Sequence, residues 1–389
     1  MATFEVDPDI RRAHAPAPRL YTGEEAHRRQ LDGIFAAAWL PVSTADGLDE
    51  VGSARPFTLL PDALDEPLLL VRDLHGTLRC LSNVCTHRGN LIVEGEWRLD
   101  TLRCRYHGRR FHLDGTFAYM PCMQGADGFP SERDYLPRIP LAEWRGLLFA
   151  ALGPRVDLAA AVAPVEERLR GLGITAWRRL EAPAFDLEIA AHWTLVCERA
   201  LEGFHGSRLH DALTEPGSLL WHPTEVWDHG SVRVALALGR EPVFNLPDGH
   251  PDRGERVAAF EFHLFPTTFL RVHPWGMVLQ TVDPVGPDRT RVRFRVFVAE
   301  GRELEEGFAA RLRHTAGEDR GLVESVQPAV RSRLFHGGRY SPEREVAVHH
   351  FHRQLAAWMA GGDGTGLVRR RTAHAVRRSS QRDQGTSTA

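Results

Sequence analysis

The sequence predicts an α+β fold, in which a small antiparallel β domain precedes a larger domain with a central antiparallel sheet flanked by helices. Residues 40–153 contain short apolar runs separated by Asp/Gly turns such as His75-Gly76 and Asp114-Gly115, a pattern typical of antiparallel strands. A second series of strand-like runs fills residues 185–298, and two helical segments follow it. Strands and then helices, without βαβ alternation, favour the α+β class.

The first predicted element is an amphipathic helix over residues 20–39. Thr22 and Glu25 have capping-box spacing, and Leu31, Ile34, Phe35 and Ala38 recur at helical intervals. We expect this N-terminal segment, residues 1–39, to pack on the larger body.

The remaining elements follow in chain order. Strands of the first domain are predicted at 56–60, 67–72, 78–81 and 142–152. In the second domain, residues 154–360, we expect a helix at 158–172, strands at 185–189, 232–238, 258–265, 268–273, 278–282 and 291–298, and helices at 304–329 and 345–359. Alternation in the last strand indicates that one of its faces is exposed. The polar tail, residues 361–389, is predicted to be disordered.

Composition excludes several classes of protein. The 389 residues carry a net charge of −3, which gives no reason to expect nucleic acid or an anionic membrane as partner. No apolar run is long enough for a transmembrane helix, and the absence of lysine excludes a Schiff-base enzyme or a Walker-type P-loop. Five scattered cysteines do not form a disulfide framework, which favours a reducing, cytoplasmic location.

The first domain contains two mixed Cys/His pairs with the residue types of a metal site. They are Cys85 with His87, in C-T-H-R-G, and Cys104 with His107, in C-R-Y-H-G. Two thiolates and two imidazoles can hold zinc or a [2Fe–2S] cluster. Zinc sites usually pair cysteine with cysteine at short spacing, so the spacing favours the cluster.

A second constellation lies at Glu202, His205 and His210. The five-residue spacing of the histidines suits a broken helix better than a regular one, and two histidines with one carboxylate form the facial triad of non-haem iron oxygenases. The carboxylate can be distant, and Asp319 is the best candidate, with Glu318 beside it. His349, His350 and His352 form a competing group, and the exposed helical setting predicted for them argues against a ligand role.

These motifs together resemble the α-subunit of the Rieske non-haem iron, or ring-hydroxylating, oxygenases over nearly the full chain. The resemblance implies a Rieske domain followed by a helix-grip catalytic domain. It also implies a [2Fe–2S] cluster on Cys85, His87, Cys104 and His107, a mononuclear Fe(II) on His205, His210 and Asp319, and Glu202 as the acid bridging the two centres. The chain departs from the family pattern at His192 and Arg199, where Asn is common. An arginine facing ferrous iron would repel it, so Arg199 is expected to point away or to pair with Glu198 or Glu202.

The resemblance further implies the partners and the reaction. The enzyme would activate O₂ with electrons from an external ferredoxin or flavin reductase, and hydroxylate or oxidatively demethylate a small organic substrate. A head-to-tail homotrimer would place the cluster of one subunit beside the iron of the next. Aromatic ring cis-dihydroxylation is the alternative reaction. Phe262, Phe265, Phe269, Trp275 and Phe204 could form an apolar pocket or a cage for a quaternary amine. A zinc-site or electron-carrier protein without oxygenase activity is the remaining, remote alternative.

Overall fold

The N-terminal segment is three short pieces rather than one helix. The computed structural model describes residues 4–174, 177–204, 219–304 and 307–368. The pieces are α1 (Arg19–Thr22), α2 (Glu24–Gln30) and a π-helical turn (Leu31–Phe35). The predicted continuous helix and its capping box are wrong, because Gly23 has extended backbone and the Thr22 hydroxyl donates to the Pro18 carbonyl instead. Packing on the larger body is confirmed, with Phe35 edge-on to Trp193 at 4.9 Å between ring centroids.

The first β region contains three small antiparallel sheets. Its strands are β1 (Leu40–Thr44), β2 (Ser53–Leu59), β3 (Glu66–Arg72), β4 (Leu78–Ser82), β5 (Trp97–Arg98), β6 (Leu102–Arg103), β7 (Arg110–Phe111), β8 (Phe117–Tyr119), β9 (Arg138–Ile139), β10 (Leu141–Trp144) and β11 (Leu147–Ala150). The sheet orders are β5-β2-β3-β4-β9, β6-β7-β8 and β1-β11-β10. The single strand predicted at 142–152 is instead a hairpin, because Arg145 and Gly146 both adopt positive φ and reverse the chain.

One large antiparallel sheet organises the second region. Its strands are β12 (Trp177–Ile189), β13 (Leu219–Trp221), β14 (Glu225–Trp227), β15 (Gly230–Ala237), β16 (Val257–Leu264), β17 (Thr268–His273), β18 (Gly276–Gly286) and β19 (Arg289–Ala299). Their order is β12-β19-β18-β17-β16-β15-β13, with β14 pairing β15. The helices are α3 (Leu158–Leu169), α4 (Trp193–Leu201), α5 (Phe308–Ala329) and α6 (Val346–Met359).

Alternation along the strands gives the sheet two different faces. One face presents residues such as Val234 and Phe260 to a core shared with α3. The other presents Val278 and Phe294 to a core shared with α4, α5 and α6. This second face, covered by the two helices that carry Arg199 and Asp319, positions the candidate site.

The start of the C-terminal tail is ordered. The backbone N–H groups of Gly366 and Val368 each donate to the Asp228 carboxylate at 2.9 Å. The predicted disorder is therefore wrong for residues 361–368, and 369–389 lie outside the described residues. The domain boundaries at 39/40, 153/154 and 360/361 stay predictions. In the part of the chain that the structure describes, no helix has the length and apolarity to span a membrane.

Candidate active site

The two Cys/His loops have the same backbone geometry. The Cys85 N–H donates to the carbonyl five residues on, at Asn90, and the Gly89 N–H donates back to the Cys85 carbonyl, both at 2.9 Å. Cys104 and Gly108 repeat the pattern at 2.8 and 3.0 Å. Both glycines have positive φ, 73° and 74°, a conformation that glycine adopts without strain. The two Cys/His loops therefore share one backbone conformation.

The loops bury their sulfurs and present their imidazoles. Cys85 and Cys104 lie in a small core, and burial raises the pKa of the Cys85 thiol. His107 is exposed and His87 is half-buried. Their Nδ1 atoms lie 3.1 Å apart, and Tyr106 stacks on His107 at 3.8 Å between ring centroids. Two nitrogens that each lie ~2.1 Å from one metal ion are roughly 3–3.4 Å apart, so this separation suits shared ligation.

The sulfur and nitrogen ligands lie at different depths. Cys85 and Cys104 are buried, whereas His107 is exposed and His87 half-buried. A buried thiol pair and an outer imidazole pair fit two irons, with the histidines on one of them.

Sequence reasoning missed the residue that ties the two loops together, Asp134. Its backbone carbonyl accepts hydrogen bonds from Thr86 of the first loop and from Arg109 of the second, both at 3.0 Å. Its carboxylate pairs with the buried Arg109 at 2.7 Å. The guanidinium also lies 5.1 Å from the ring centroid of Phe117, so Arg109 is enclosed. Only the tertiary fold brings Asp134 to the loops, and no local motif marks it.

The second constellation is only partly described. Glu202 follows the last residue of α4, and the break predicted between His205 and His210 lies outside the described residues. His205 and His210 lie outside the described residues. Asp319 lies on α5, while its neighbour Glu318 approaches His314 at 3.7 Å. Asp319, and not Glu318, lines a cavity beneath α4 and α5.

Arg199 lies between two of the predicted site carboxylates. Its Nη1 is 2.7 Å from Glu202 Oε1, and its Nη2 is 2.7 Å from Asp319 Oδ1. The predicted pairing of Arg199 with Glu202 is confirmed, and the pair with Asp319 is an addition to it. The guanidinium therefore faces the candidate iron site rather than pointing away from it, and its charge is balanced there by carboxylates.

The cavity that contains Asp319 is bounded on its other side by the sheet. Arg271 and Gln280 contribute the polar groups of that wall, and the rest of the lining is mainly aliphatic. The enclosed volume is about 40 Å³, room for a few water molecules. An organic substrate would therefore require side chains such as Arg199 to move.

Charged residues form a ladder across this wall. Arg233, Glu261 and Arg271 are directly opposite one another on β15, β16 and β17. Glu261 pairs with Arg233 at 2.6 Å and with Arg271 at 3.1 Å, and Arg271 Nη1 donates to Gln280 Oε1 at 2.8 Å. Arg233 also lies 5.0 Å from the ring centroid of Trp221. The ladder depends on strand register, which the sequence alone did not reveal.

The predicted aromatic residues do not gather into one pocket. Phe265 packs on Trp358, Trp275 on Phe308, and Phe204 is exposed. Phe262 and Phe269 line a small cavity beside Arg271. Within the described residues there is thus no aromatic cage at Asp319.

The three histidines of α6 are buried, so the prediction that their setting is exposed is wrong. His349 and His350 bond backbone carbonyls of Asp7 and Trp227 at 2.8 and 2.7 Å. His352 lies 2.9 Å from Glu198 Oε1 and 2.6 Å from the Tyr340 hydroxyl. These contacts give each histidine a structural partner.

His192 begins α4. Its Nδ1 accepts a hydrogen bond from the Thr194 backbone N–H at 3.3 Å, which is the N-cap interaction that Asn commonly makes. Burial lowers the pKa of His192 to about 3, so the ring is neutral. His192 therefore supplies the same N-cap of α4 that an asparagine at this position would supply.

Comparison with known proteins decides the family. The model of the Rieske [2Fe-2S] domain matches residues 38–136, and that of the ring hydroxylating alpha subunit (catalytic domain) matches residues 174–361. The chain belongs to the Rieske non-haem iron oxygenases. The predicted order of the two domains is confirmed.

Relatives and solved structures agree with this assignment. The carnitine monooxygenase oxygenase subunit of Escherichia coli (strain K12) is 28% identical, with 87% of this chain and 92% of the relative covered. The chloroplastic choline monooxygenase of Arabidopsis thaliana is 26% identical, with 90% and 84% covered. A quaternary ammonium Rieske monooxygenase in complex with L-carnitine shares the fold with a TM-score of 0.72 at 20% identity, covering 91% of this chain and 97% of that chain. Naphthalene 1,2-dioxygenase from Rhodococcus sp. does so with 0.66 at 17% identity, covering 89% and 93%.

As a Rieske oxygenase, the protein is an oxidoreductase that uses a [2Fe–2S] cluster, a mononuclear iron and electrons from a separate reductase. The electron-carrier and zinc-protein alternatives are thereby excluded.

Proposed function

We propose that this oxygenase inserts one oxygen atom into a C–H bond of a small N-methylated, quaternary ammonium substrate, leading to hydroxylation or oxidative demethylation. The reaction R–H + O₂ + 2e⁻ + 2H⁺ → R–OH + H₂O draws its electrons from the reductase. Cys85, His87, Cys104 and His107 would hold the cluster, and His205, His210 and Asp319 the iron. Bound there, the two groups would supply stored electrons and O₂ activation.

The similarity to enzymes that oxidise carnitine and choline is the observation that carries this substrate class, and it favours the class over aromatic dihydroxylation. The cavity agrees with a polar substrate, because Arg271 and Gln280 lie on its sheet side, opposite Asp319 and Arg199 on the helix side. A flat hydrocarbon would exclude water from these groups, at a cost of about 1–3 kcal/mol for any polar atom left without a hydrogen bond.

The exposed imidazole of His107 supports electron transfer between subunits. His107 is at the surface and is stacked on the exposed Tyr106, so a neighbouring subunit can contact it directly. In a head-to-tail homotrimer, Glu202 would bond His205 of its own chain and His107 of the neighbouring chain. All five cysteines are free, which suits a reducing location such as the cytoplasm.

The test is turnover of the loaded enzyme with a surrogate flavin reductase, NADH and ¹⁸O₂. With γ-butyrobetaine or choline as substrate, one O₂ and one NADH should be consumed per oxidised molecule, and a product trapped before its carbonyl oxygen exchanges with water should contain one ¹⁸O atom. Oxidation of naphthalene with two ¹⁸O atoms, and no oxidation of either amine, would refute the proposal.

A variant tests the bridge separately. Glu202→Gln should retain full cluster and iron content but lose turnover, because the amide cannot serve as the acid between the centres. Undiminished activity would refute the bridging role. Sedimentation should give a trimer, and a monomer with full activity would exclude electron transfer between subunits.

A further inference from the structure

Arg199 reaches the candidate iron site with one hydrogen-bond donor unused. Its Nη1 is 2.7 Å from Glu202 Oε1, and its Nη2 is 2.7 Å from Asp319 Oδ1. The third donor, Nε, is buried, and no residue in the described part of the chain accepts a hydrogen bond from it. A buried donor without an acceptor is unfavourable, so a ligand that accepts from Nε would be stabilised at this position.

The planar guanidinium fixes the direction of its donors. The N–H of Nε and one N–H of Nη2 are parallel and form one edge of the group, which can bind two acceptor atoms side by side. Nη2 belongs to this edge and contacts Asp319, whereas Nη1 lies outside it and contacts Glu202. The edge therefore lies on the Asp319 side of the guanidinium. The Arg199 side chain also lines the cavity beneath α4 and α5.

Iron binding would free the second donor of this edge. An Fe(II) ion bound to the Asp319 carboxylate would compete with its pair with Nη2 and replace it. Glu202 would still hold Nη1, so the guanidinium would remain at the site with Nε and Nη2 both available to a ligand. The positive charge of Arg199 stays paired with Glu202, and the two parallel donors, rather than an excess of charge, define the position.

Dioxygen is the acceptor that fits this position. It has two adjacent oxygen atoms, and it is small enough for a cavity of about 40 Å³. It also gains negative charge as the electrons of the reaction reach it. Fixed donors on a cation stabilise such developing charge in a site shielded from water. The asparagine that is common at this position in the family would offer an uncharged amide instead.

We propose that Arg199 donates hydrogen bonds from Nε and Nη2 to dioxygen at the mononuclear iron site, and that it stabilises the charge that dioxygen acquires during reduction. Arg199 is then a catalytic residue in which this chain differs from the common family pattern. The proposal rests on the proposed function, in which Asp319 binds the iron, but not on the identity of the organic substrate.

Nitric oxide is the probe for this role, because it binds ferrous iron as dioxygen does but undergoes no turnover. Anaerobic stopped-flow spectroscopy on protein saturated with cluster and iron should show that Arg199→Gln releases nitric oxide about 10- to 100-fold faster than wild type. Infrared spectra should show a higher N–O stretching frequency in Arg199→Gln, since the donors no longer draw electron density onto the ligand. An unchanged rate and frequency would overturn the proposal.

Two further variants separate the donor pair from a general effect of charge or folding. Arg199→Lys keeps a positive charge without the parallel donors, so its release rate should lie between those of wild type and Arg199→Gln. Wild-type values in Arg199→Lys would overturn the role of the donor pair. Arg320→Gln is the matched control: Arg320 follows Asp319 in the chain but pairs with Glu324 at 2.9 Å, outside the lining of the cavity. It should release nitric oxide as wild type does, and release as fast as from Arg199→Gln would overturn the proposal.

The outcomes also separate this proposal from the proposed function. Oxidation of γ-butyrobetaine or choline by wild type, with nitric oxide release that Arg199→Gln leaves unchanged, would overturn the role of Arg199 and leave the proposed function intact. Faster release from Arg199→Gln, without oxidation of either amine by wild type, would support the role of Arg199 and refute the proposed substrate class. Iron-loaded wild type that binds no nitric oxide would overturn the role of Arg199.

Discussion

Replacing Arg199 should make the mononuclear site bind Fe(II) more tightly. Arg199 contacts the carboxylate proposed as an iron ligand, with Nη2 2.7 Å from Asp319 Oδ1. Iron and the guanidinium compete for that carboxylate, so metal binding has to disrupt the ion pair. Arg199→Gln removes the competing charge and keeps much of the side-chain volume.

The expected change in Fe(II) affinity follows from the free energy of the Arg199–Asp319 ion pair. A hydrogen bond to a charged group contributes about 1.5–3 kcal/mol, and every ~1.4 kcal/mol is a factor of ten in affinity. The side chains are 13% and 34% exposed, and solvent screening of Asp319 favours the lower half of that range. We therefore expect the Fe(II) dissociation constant to fall about 10- to 50-fold in Arg199→Gln.

Anaerobic competition with a chromogenic Fe(II) chelator measures this constant on protein with an intact cluster. Arg199→Lys keeps the positive charge and should retain the weaker wild-type affinity. Asp319→Asn should bind iron poorly whether or not Arg199 is present. An unchanged dissociation constant in Arg199→Gln would refute the competition, and unchanged iron binding in Asp319→Asn would refute the ligand assignment.

Three further predictions concern buried polar residues that are not among the proposed metal ligands. Asp134→Asn leaves the buried Arg109 without its carboxylate and should destabilise the cluster domain by about 3–5 kcal/mol. This loss should be seen as faster bleaching of cluster absorption in urea. Asp114→Asn is the control: it loses a more exposed ion pair with Arg138 and should cost about 0–1 kcal/mol. Burial raises the pKa of Asp283 to about 6 from 3.8, so the folded state binds more protons than the unfolded state between those values and stability falls as pH rises through them. Asp283 also pairs with Arg293 at 2.8 Å, a contact that Asp283→Asn loses, so the pH dependence is the test. The stability of Asp283→Asn relative to wild type in urea should rise by up to ~3 kcal/mol from pH 4 to pH 8; an equal difference at both pH values would contradict this reasoning. His192→Ala should cost about 1 kcal/mol through loss of the α4 N-cap, while His192→Asn should retain the stability of wild type in thermal unfolding; equal losses would exclude the capping role.

The similarity of the two Cys/His loops was predicted correctly because the information that determines it is local. Each Cys-x-His or Cys-x-x-His pair and the glycine that ends its loop lie within a few residues, so the residue types alone specify the turn. The strand series was predicted for the same reason, since alternation is visible within each strand. The N-terminal helix was mispredicted where Gly23 and the π-helical turn interrupt a helical pattern.

Contacts between distant segments were the part that sequence reasoning could not supply. Asp134 reaches Thr86 across 48 residues, and the Arg233–Glu261–Arg271 ladder exists only because of the pairing of three strands. The contacts of Arg199 could be predicted in part. Its need for a carboxylate follows from charge alone, and one of its partners was predicted, but Asp319 lies 120 residues away on another helix.

The ladder has a consequence for how the sheet assembles. A slip of β17 by one residue would turn Arg271 to the opposite side, where its neighbours Leu270 and Val272 are fully enclosed. In this slipped register the guanidinium of Arg271 would be buried among aliphatic side chains without a counterion. Glu261 would lose its ion pair with Arg271. Burying a guanidinium without a counterion is unfavourable, so the ladder favours the native register of β17 over this slipped one.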